Sequence, residues 1–514
     1  MVTASVQCSL LAQQSFWATA YYPGWAEASI SQGGMPIWTA DLVGITHLVR
    51  FVGWTSQKPP YVLPMVTTND SIEFEFHGIS NPLSGPSSWI NWEDSLIRIA
   101  HRNNIKVVLS SGNNKADLDF ISADSSRTET CAKTLINYLK RKGYDGLEVD
   151  WEPPSNLNDC SRLLRRLRFY LDQMTPKGIL MIAPGNGKNY ATLFSASLCN
   201  AICDQINIQL YGYAPVWWSR HTIPPGPNAN VTWYTSPLHR GRLIPLSDAT
   251  AWDTWGPNQW ASTYGFSKSK LGAGMGFYGW NYRTHAGPGE AVTSPVGGYV
   301  DHYAYIPQLI ANGGSKHWDD ECKVPYLSGT AIGNLGPTNY GGWGVLAGEK
   351  FWTSFEDSQS VSEKTKWAKA NGLAGIMIYD ISMDFDATKP AGQRQPLLNS
   401  VVRALTAPAV TINRVVADIP SGFSLDQNYP DPFNRSMVIS YSLARRANAK
   451  LTIFNSLGRI LAVLVDGVQE PGKYKVTFDT SAFGGGVQGA ASGIYYYRLE
   501  TEKYSETKKL LLLK

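Results

Sequence analysis

Charge is thin in this sequence. Asp, Glu, Lys and Arg together make up 17% of 514 residues, and the formal net charge is +4. Lys and Arg gather into no stripe, so nucleic acid is not an expected partner. Cysteine is sparse too: Cys8, Cys131, Cys160, Cys199, Cys203 and Cys322. Only Cys199 and Cys203 are close, one turn apart if their segment is helical. A disulfide between them stays open, and nothing fixes connectivity. No histidines accompany the cysteines, so neither a metal nor a cofactor is expected. Long apolar runs are missing as well, which excludes a membrane-spanning helix. The first 15 residues (MVTASVQCSLLAQQS) lack a basic start and carry only a short apolar run, and read as a truncated or misassigned leader.

Aromatic residues, by contrast, are plentiful, with 18 Trp, 26 Tyr and 17 Phe. That exceeds what one core requires, and flat rings suit the apolar faces of sugars, although most individual rings serve packing. Glycine (47) and proline (30) imply many ordered loops. The length calls for more than one domain, one of them large enough for a barrel.

One stretch stands apart: Tyr144 to Glu152, YDGLEVDWE. Read as a strand, it places Leu147, Val149 and Trp151 on one face and Glu148, Asp150 and Glu152 on the other. Neighbours in each row lie roughly 6.6 Å apart, twice the strand rise. The apolar row suits packing against helices. Three acids in a row do not suit a core, because a buried charge is costly unless paired or neutralised. Like charges this close must split their pKa values, leaving some protonated near neutral pH, which is a route to a general acid. A solvated edge and a cation site are the competing readings. The apolar, glycine-containing flanks disfavour the first, and calcium's need for many oxygens disfavours the second.

Strands are expected over Ala18–Trp25, Ile45–Val52, Ile105–Ser111, the acidic stretch, Ile179–Ala183, Cys203–Tyr213, Leu271–Tyr278 and Gly375–Asp380. Helical spacing falls between several of them, over Trp92–Asn103, Thr130–Lys142, Arg162–Met174 and Ser362–Asn371, with a last helix near Pro396–Leu405. Eight such units point to an α/β fold, a (β/α)8 TIM barrel whose chemistry sits at the C-terminal strand ends. Glu152 ends the fourth strand and belongs at the mouth. The interval 281–355 is too long for a loop and reads as a small α+β insertion between strands 7 and 8. The barrel domain is assigned to 16–407 and a linker to 408–422. From 423 to 514, period-2 alternation with glycine-rich turns predicts an all-β sandwich.

These residues resemble glycoside hydrolase family 18, the chitinases and their relatives. YDGLEVDWE looks like the family's DxxDxDxE signature, with Glu148 in place of the middle Asp. YYPGW resembles the first-strand motif, ITHLV the second strand, VVLSSGNN the SxGG strand and GMGFYGW the seventh-strand PxYGR motif. KVPYL and the run into GIMIYD resemble the insertion domain and eighth strand. The resemblance implies a retaining, substrate-assisted mechanism through an oxazolinium ion. This family lies outside the usual two-carboxylate scheme. Glu152 would be the proton donor and Asp150 would orient the substrate's acetamido group, with Glu148 and Asp145 tuning Asp150 from behind. Tyr211 would hydrogen-bond the acetamido oxygen with support from Gln209. Matching positions imply sugar contacts for Tyr21, Trp25, Tyr278 and Tyr379. Trp217 and Trp218, on the loop after strand six, and Trp280, at the position of the motif's Arg, are further candidates.

The final stretch, with QNYPDPFN, SGIYYYRLE and KKLLLLK, resembles the C-terminal sorting domain of the type IX secretion system. The alternative there is a carbohydrate-binding sandwich, which would need an exposed aromatic row that is not evident. The resemblance implies a bacterial protein, secreted or attached to the cell surface. Its expected partners are chitin or chitooligosaccharides and the secretion machinery. Two other functions compete: an endo-β-N-acetylglucosaminidase acting on N-glycan chitobiose cores, which the Gln209-x-Tyr211 pair favours, and a chitin-binding lectin, which retention of Glu152 and Asp150 argues against.

Overall fold

Eight short apolar stretches become the staves of a closed barrel in the computed structural model. In chain order they are Trp17–Pro23 (β1), His47–Trp54 (β2), Lys106–Gly112 (β3), Gly146–Asp150 (β4), Ile179–Ile182 (β5), Gln205–Gln209 (β6), Leu271–Gly276 (β7) and Gly375–Tyr379 (β8). Every neighbouring pair is parallel, and β8 closes back onto β1. The residues described are 16–27, 34–54, 64–68, 71–74, 86–112, 115–186, 188–212, 232–239, 251–290, 297–300, 305–336, 344–406, 411–415, 420–434, 436–456, 458, 460–479 and 492–513. The chain divides into two units, Met1–Val402 and Arg403–Lys514.

Parallel strands need crossover connections and are buried on both faces. This explains why β4 is buried throughout although one of its rows is acidic. Its apolar row, with Leu147 and Val149, faces the helical layer, and Trp151 just beyond the strand is buried as well. The helices beside it begin at clear sequence signals. Asp124 caps Ser125–Lys142 by accepting from Arg127 N–H at 2.8 Å. Asn156 caps Leu157–Leu171 by accepting from two backbone N–H groups. The barrel interior is closed by Tyr21, Val49, Phe51, Val108, Met181 and Met377.

Between β7 and β8 the chain forms the expected α+β insertion. Its antiparallel sheet comprises Gly279–Arg283, Gly297–Val300, Gly314–Asp319, Val324–Thr330 and Lys350–Ser354, and the helix Tyr305–Ala311 shares a core with it.

The second unit is a sandwich of two four-stranded antiparallel sheets around one core that includes Ile439, Leu451, Val476 and Leu499. The linker expected at 408–422 needs correcting. Within it, Thr411–Val415 is an edge strand paired with Gly472–Asp479 from Thr411↔Thr477 to Val415↔Lys473. An edge strand tolerates polar residues such as Asn413 and Arg414, so its alternation is weak in sequence. The expected leader lies outside the described residues. Cys131, Cys160, Cys199, Cys203 and Cys322 are buried free thiols, and Cys8 lies outside the described residues.

Candidate active site

The inward row of β4 carries the acids to the C-terminal end of the barrel. Glu148 is fully buried and accepts a hydrogen bond from the Tyr21 hydroxyl of β1. Burial pushes its carboxyl up to about 7, against the pull of the Tyr21 and Ser110 hydroxyls. Asp150, two residues nearer the mouth, is held well above the usual carboxylate range by burial first, then by repulsion from Glu152 and Glu148. Glu152 follows the strand end, half-buried, and burial raises it as well. Burial thus raises both carboxyls of the pair, and their titrations belong to the pair rather than to either residue.

Gln209, the last residue of β6, aims its amide at this pair. Its Nε2 donates to Glu152 Oε1, to the Ala183 carbonyl at 2.9 Å and to Asp150 Oδ1 at 3.3 Å. An amide has two N–H hydrogens, so the three acceptors share them. Gln209 and Tyr211 therefore do not satisfy each other. The Tyr211 hydroxyl lies 3.8 Å from Met377 Sδ, and its ring stacks on Tyr379 with centroids 5.7 Å apart. Tyr379 also meets Tyr21 edge-on at 5.6 Å and Tyr278 at 6.5 Å. These tyrosines line the barrel end beside the acids.

Room for the rings comes from β7. Its inward positions Gly272, Gly274 and Gly276 carry no side chain. A Cβ on Gly274 would lie 2.8 Å from Met377 Cε and 3.2 Å from Tyr211 Cε1, and one on Gly276 would lie 2.6 Å from Tyr278 Cε1. Gly112, ending β3, makes the closest approach to the acids. Its φ is +143°, and a Cβ there would sit 2.1 Å from the Asp150 carbonyl oxygen. The alternation in LGAGMG is the signal that could have marked the β7 glycines as space for side chains.

Two predicted site residues lie elsewhere. Asp145 has the opposite parity to Glu148 and sits at the foot of β4, where it pairs with His101 at 2.7 Å and Lys106 at 2.9 Å and accepts from Val107 N–H. Trp280 lies in the first strand of the insertion sheet, buried beside Tyr282 with ring centroids 6.4 Å apart, and presents no open platform. Trp217, Trp218 and the side chain of Trp25 lie outside the described residues.

The profile of the glycosyl hydrolases family 18 matches residues 18–384. The chain belongs to that family. A second profile, the secretion system C-terminal sorting domain, matches residues 427–513. Among curated family 18 relatives, Chitinase A1 of Niallia circulans is 25% identical over 435 residues, covering 73% of this chain and 58% of the relative. Chitinase 1 of Aphanocladium album is 28% identical over 295 residues, covering 54% of this chain and 62% of the relative. The chain thus spans less than two thirds of either relative.

Solved structures share the barrel fold. The Group IV chitinase of Ostrinia furnacalis superposes with a TM-score of 0.60 at 20% identity, over 76% of this chain and 100% of that one. Human YKL-39, described as a pseudo-chitinase with retained chitooligosaccharide binding, has a TM-score of 0.60 at 17% identity, over 76% of this chain and 100% of that one.

Proposed function

We propose that this chain is an exported chitinase that hydrolyses β-1,4-linked N-acetylglucosamine polymers with retention, assisted by the substrate's own acetamido group. The observation that carries this reading is the meeting of the Asp150 and Glu152 carboxyls under the amide of Gln209 at the end of β4, where burial raises both. A proton donor must be protonated at working pH and reach the leaving oxygen, and a raised carboxyl at the strand end meets both needs.

In this mechanism Glu152 gives its proton to the glycosidic oxygen as the C–O bond breaks. The acetamido carbonyl oxygen attacks the anomeric carbon and forms an oxazolinium ion. Asp150, ionised once Glu152 holds the proton, accepts the acetamido N–H and stabilises the developing positive charge. Glu148, close to neutrality beside Tyr21, exchanges charge with Asp150 from below. Water then opens the oxazolinium ion, with Glu152 taking a proton from it. Tyr211 reaches the acetamido oxygen, Gln209 holds the two carboxyls, and Tyr21, Tyr278 and Tyr379 wall the sugar. The sorting-domain match at 427–513 supports export through the type IX system.

A second substrate, the chitobiose core of N-glycans, is favoured by the Gln209 amide beside the acids. One paired assay separates the readings. Glu152→Gln should lower turnover of chitooligosaccharides by about 100-fold or more relative to wild type. Equal turnover by the two would overturn the assignment of the acid. Cleavage of an N-glycosylated protein but not of chitooligosaccharides would transfer the activity to N-glycans. Binding without turnover on either would make the protein a lectin.

A further inference from the structure

Behind the acid cluster, two side chains converge on one backbone carbonyl, that of Leu210, and a third supports them. The Ser236 hydroxyl donates to it at 2.7 Å, and Trp252 Nε1 donates to it at 3.0 Å. Ser236 accepts in turn from Trp252 Nε1 at 3.1 Å and from Lys364 Nζ at 3.2 Å. Lys364 forms an ion pair with Glu356, and its ammonium lies 5.6 Å from the centroid of the Trp252 ring. Glu356 also accepts from the Ser360 hydroxyl at 2.6 Å. Lys364, Glu356, Ser236, Trp252 and Leu210 are all buried.

We propose that this network is a positioning device for the reaction, in which Lys364 and Glu356 act through Ser236 and Trp252 to fix the direction of Gln209 and Tyr211. This rests on the glycosidase reading above. β6 ends at Gln209, and the Leu210 N–H makes its ladder bond to the Gly274 carbonyl at 3.3 Å. The following peptide has left the sheet, so the two donors on the Leu210 carbonyl set its orientation. That peptide joins Leu210 to Tyr211, and Gln209 lies just before it. Gln209 and Tyr211 project to the face opposite Leu210. Rotation of the Leu210 carbonyl therefore moves both active-site side chains together.

A stability role alone does not account for the pair. Burying a Lys and a Glu costs solvation of both charges, and apolar side chains of similar size would hold the fold at least as well. Burial works against both charges, raising Glu356 and lowering Lys364. Of the contacts Lys364 makes, the one to Ser236 leads straight to the carbonyl between the two site residues. The network also spans the fold. Lys364 belongs to the helix Ser358–Ala370 that precedes β8, and the neighbouring Thr235 N–H donates to Ser354 Oγ, the last residue of the insertion sheet, at 2.9 Å. The insertion sheet and the side chains of Gln209 and Tyr211 thus share one support.

Two variants of the full chain test this. Ser236→Ala removes one donor to Leu210 and little volume. The double variant Lys364→Met/Glu356→Leu replaces the ion pair by apolar groups without leaving a lone charge. Each is measured against wild type for kcat and KM on a chitooligosaccharide, for melting temperature, and for the titration of the Asp150–Glu152 carboxyls by infrared spectroscopy, assigned with Glu152→Gln. The expected result is a kcat lower by about tenfold with KM within about twofold, because a small misplacement costs rate before it costs binding. Loss of the Gln209 hydrogen bond also removes a donor that favours ionised carboxylates, so their midpoint should rise by about half a pH unit. Unchanged kcat and midpoint in folded variants would overturn the proposal. So would a kcat loss that only follows the fraction unfolded, with the midpoint unmoved. If wild type turned over no glycan, the glycosidase reading would fall and the carboxyl midpoint alone would decide the positioning claim.

Discussion

Glu148 is the residue at which this site departs most from the family signature, and its burial gives it a stability signature of its own. Burial pushes its carboxyl up to about 7 in the folded chain, against an ordinary value of 4.5. The folded state therefore binds more protons than the unfolded one between those values. The contribution of this group is fully present below about pH 4.5 and is lost as pH rises through 7, by about 3 kcal/mol at most. Asp150 and Glu152 push in the same direction. Glu148→Gln should flatten this decline across pH 4.5–7 in thermal melts. An unchanged slope would remove Glu148 from the coupled set. Parity along one strand made Glu148, Asp150 and Glu152 legible as a cluster before any fold was known. The same parity argument, applied to Asp145, excludes it, and its place in the signature pattern was a weaker guide than its position in the pleat. Trp280 misled for a related reason. It stands where the motif has Arg, and the chain turns there into the insertion sheet and buries the ring.

At the scale of the element, the site depends on how closely backbones approach one another. The end of β3 comes so near β4 that only glycine fits at 112, on grounds of both φ and space. Gly112→Ala must push the Asp150 peptide away. Turnover should fall by at least about tenfold, with a melting temperature several degrees lower. Retained activity would show that the acids tolerate more movement than this packing allows. The strands themselves were readable from short apolar runs bounded by Gly and Pro. The helices were readable over their amphipathic centres but not their first turns, which are polar. Helix Ser125–Lys142, for example, starts five residues before its apolar spacing begins. The sandwich strands Ile460–Gln469 and Tyr504–Leu512 alternate less cleanly, because the first contains a glycine and the second a Lys-Lys pair followed by leucines.

For the whole molecule, the order of strands and the division into a barrel and a sandwich were legible because each repeats a local period. The support beneath Leu210 was not. Lys364 and Ser236 are 128 positions apart, and no local pattern announces such a pair. Where the chain can be cut is likewise a question of long-range pairing. A chain ending at residue 406 should keep the turnover and melting transition of the first unit while losing export. One ending at 422 carries Thr411–Val415 without Gly472–Asp479, leaving an unpaired edge that should promote association. Size-exclusion chromatography of the two would show it; equal monodispersity would mean that the short strand is harmless when alone.

The same edge strand has a mechanical meaning. Under the proposed function, a chain bound to a solid polymer and held by its tail at a cell surface would carry load through the connection between its units. That connection enters the sandwich through the short antiparallel pairing that begins at Thr411↔Thr477. Within the sandwich, that load would meet this edge pairing before it reached the core, so Thr411–Val415 is the strand that tension would strain first.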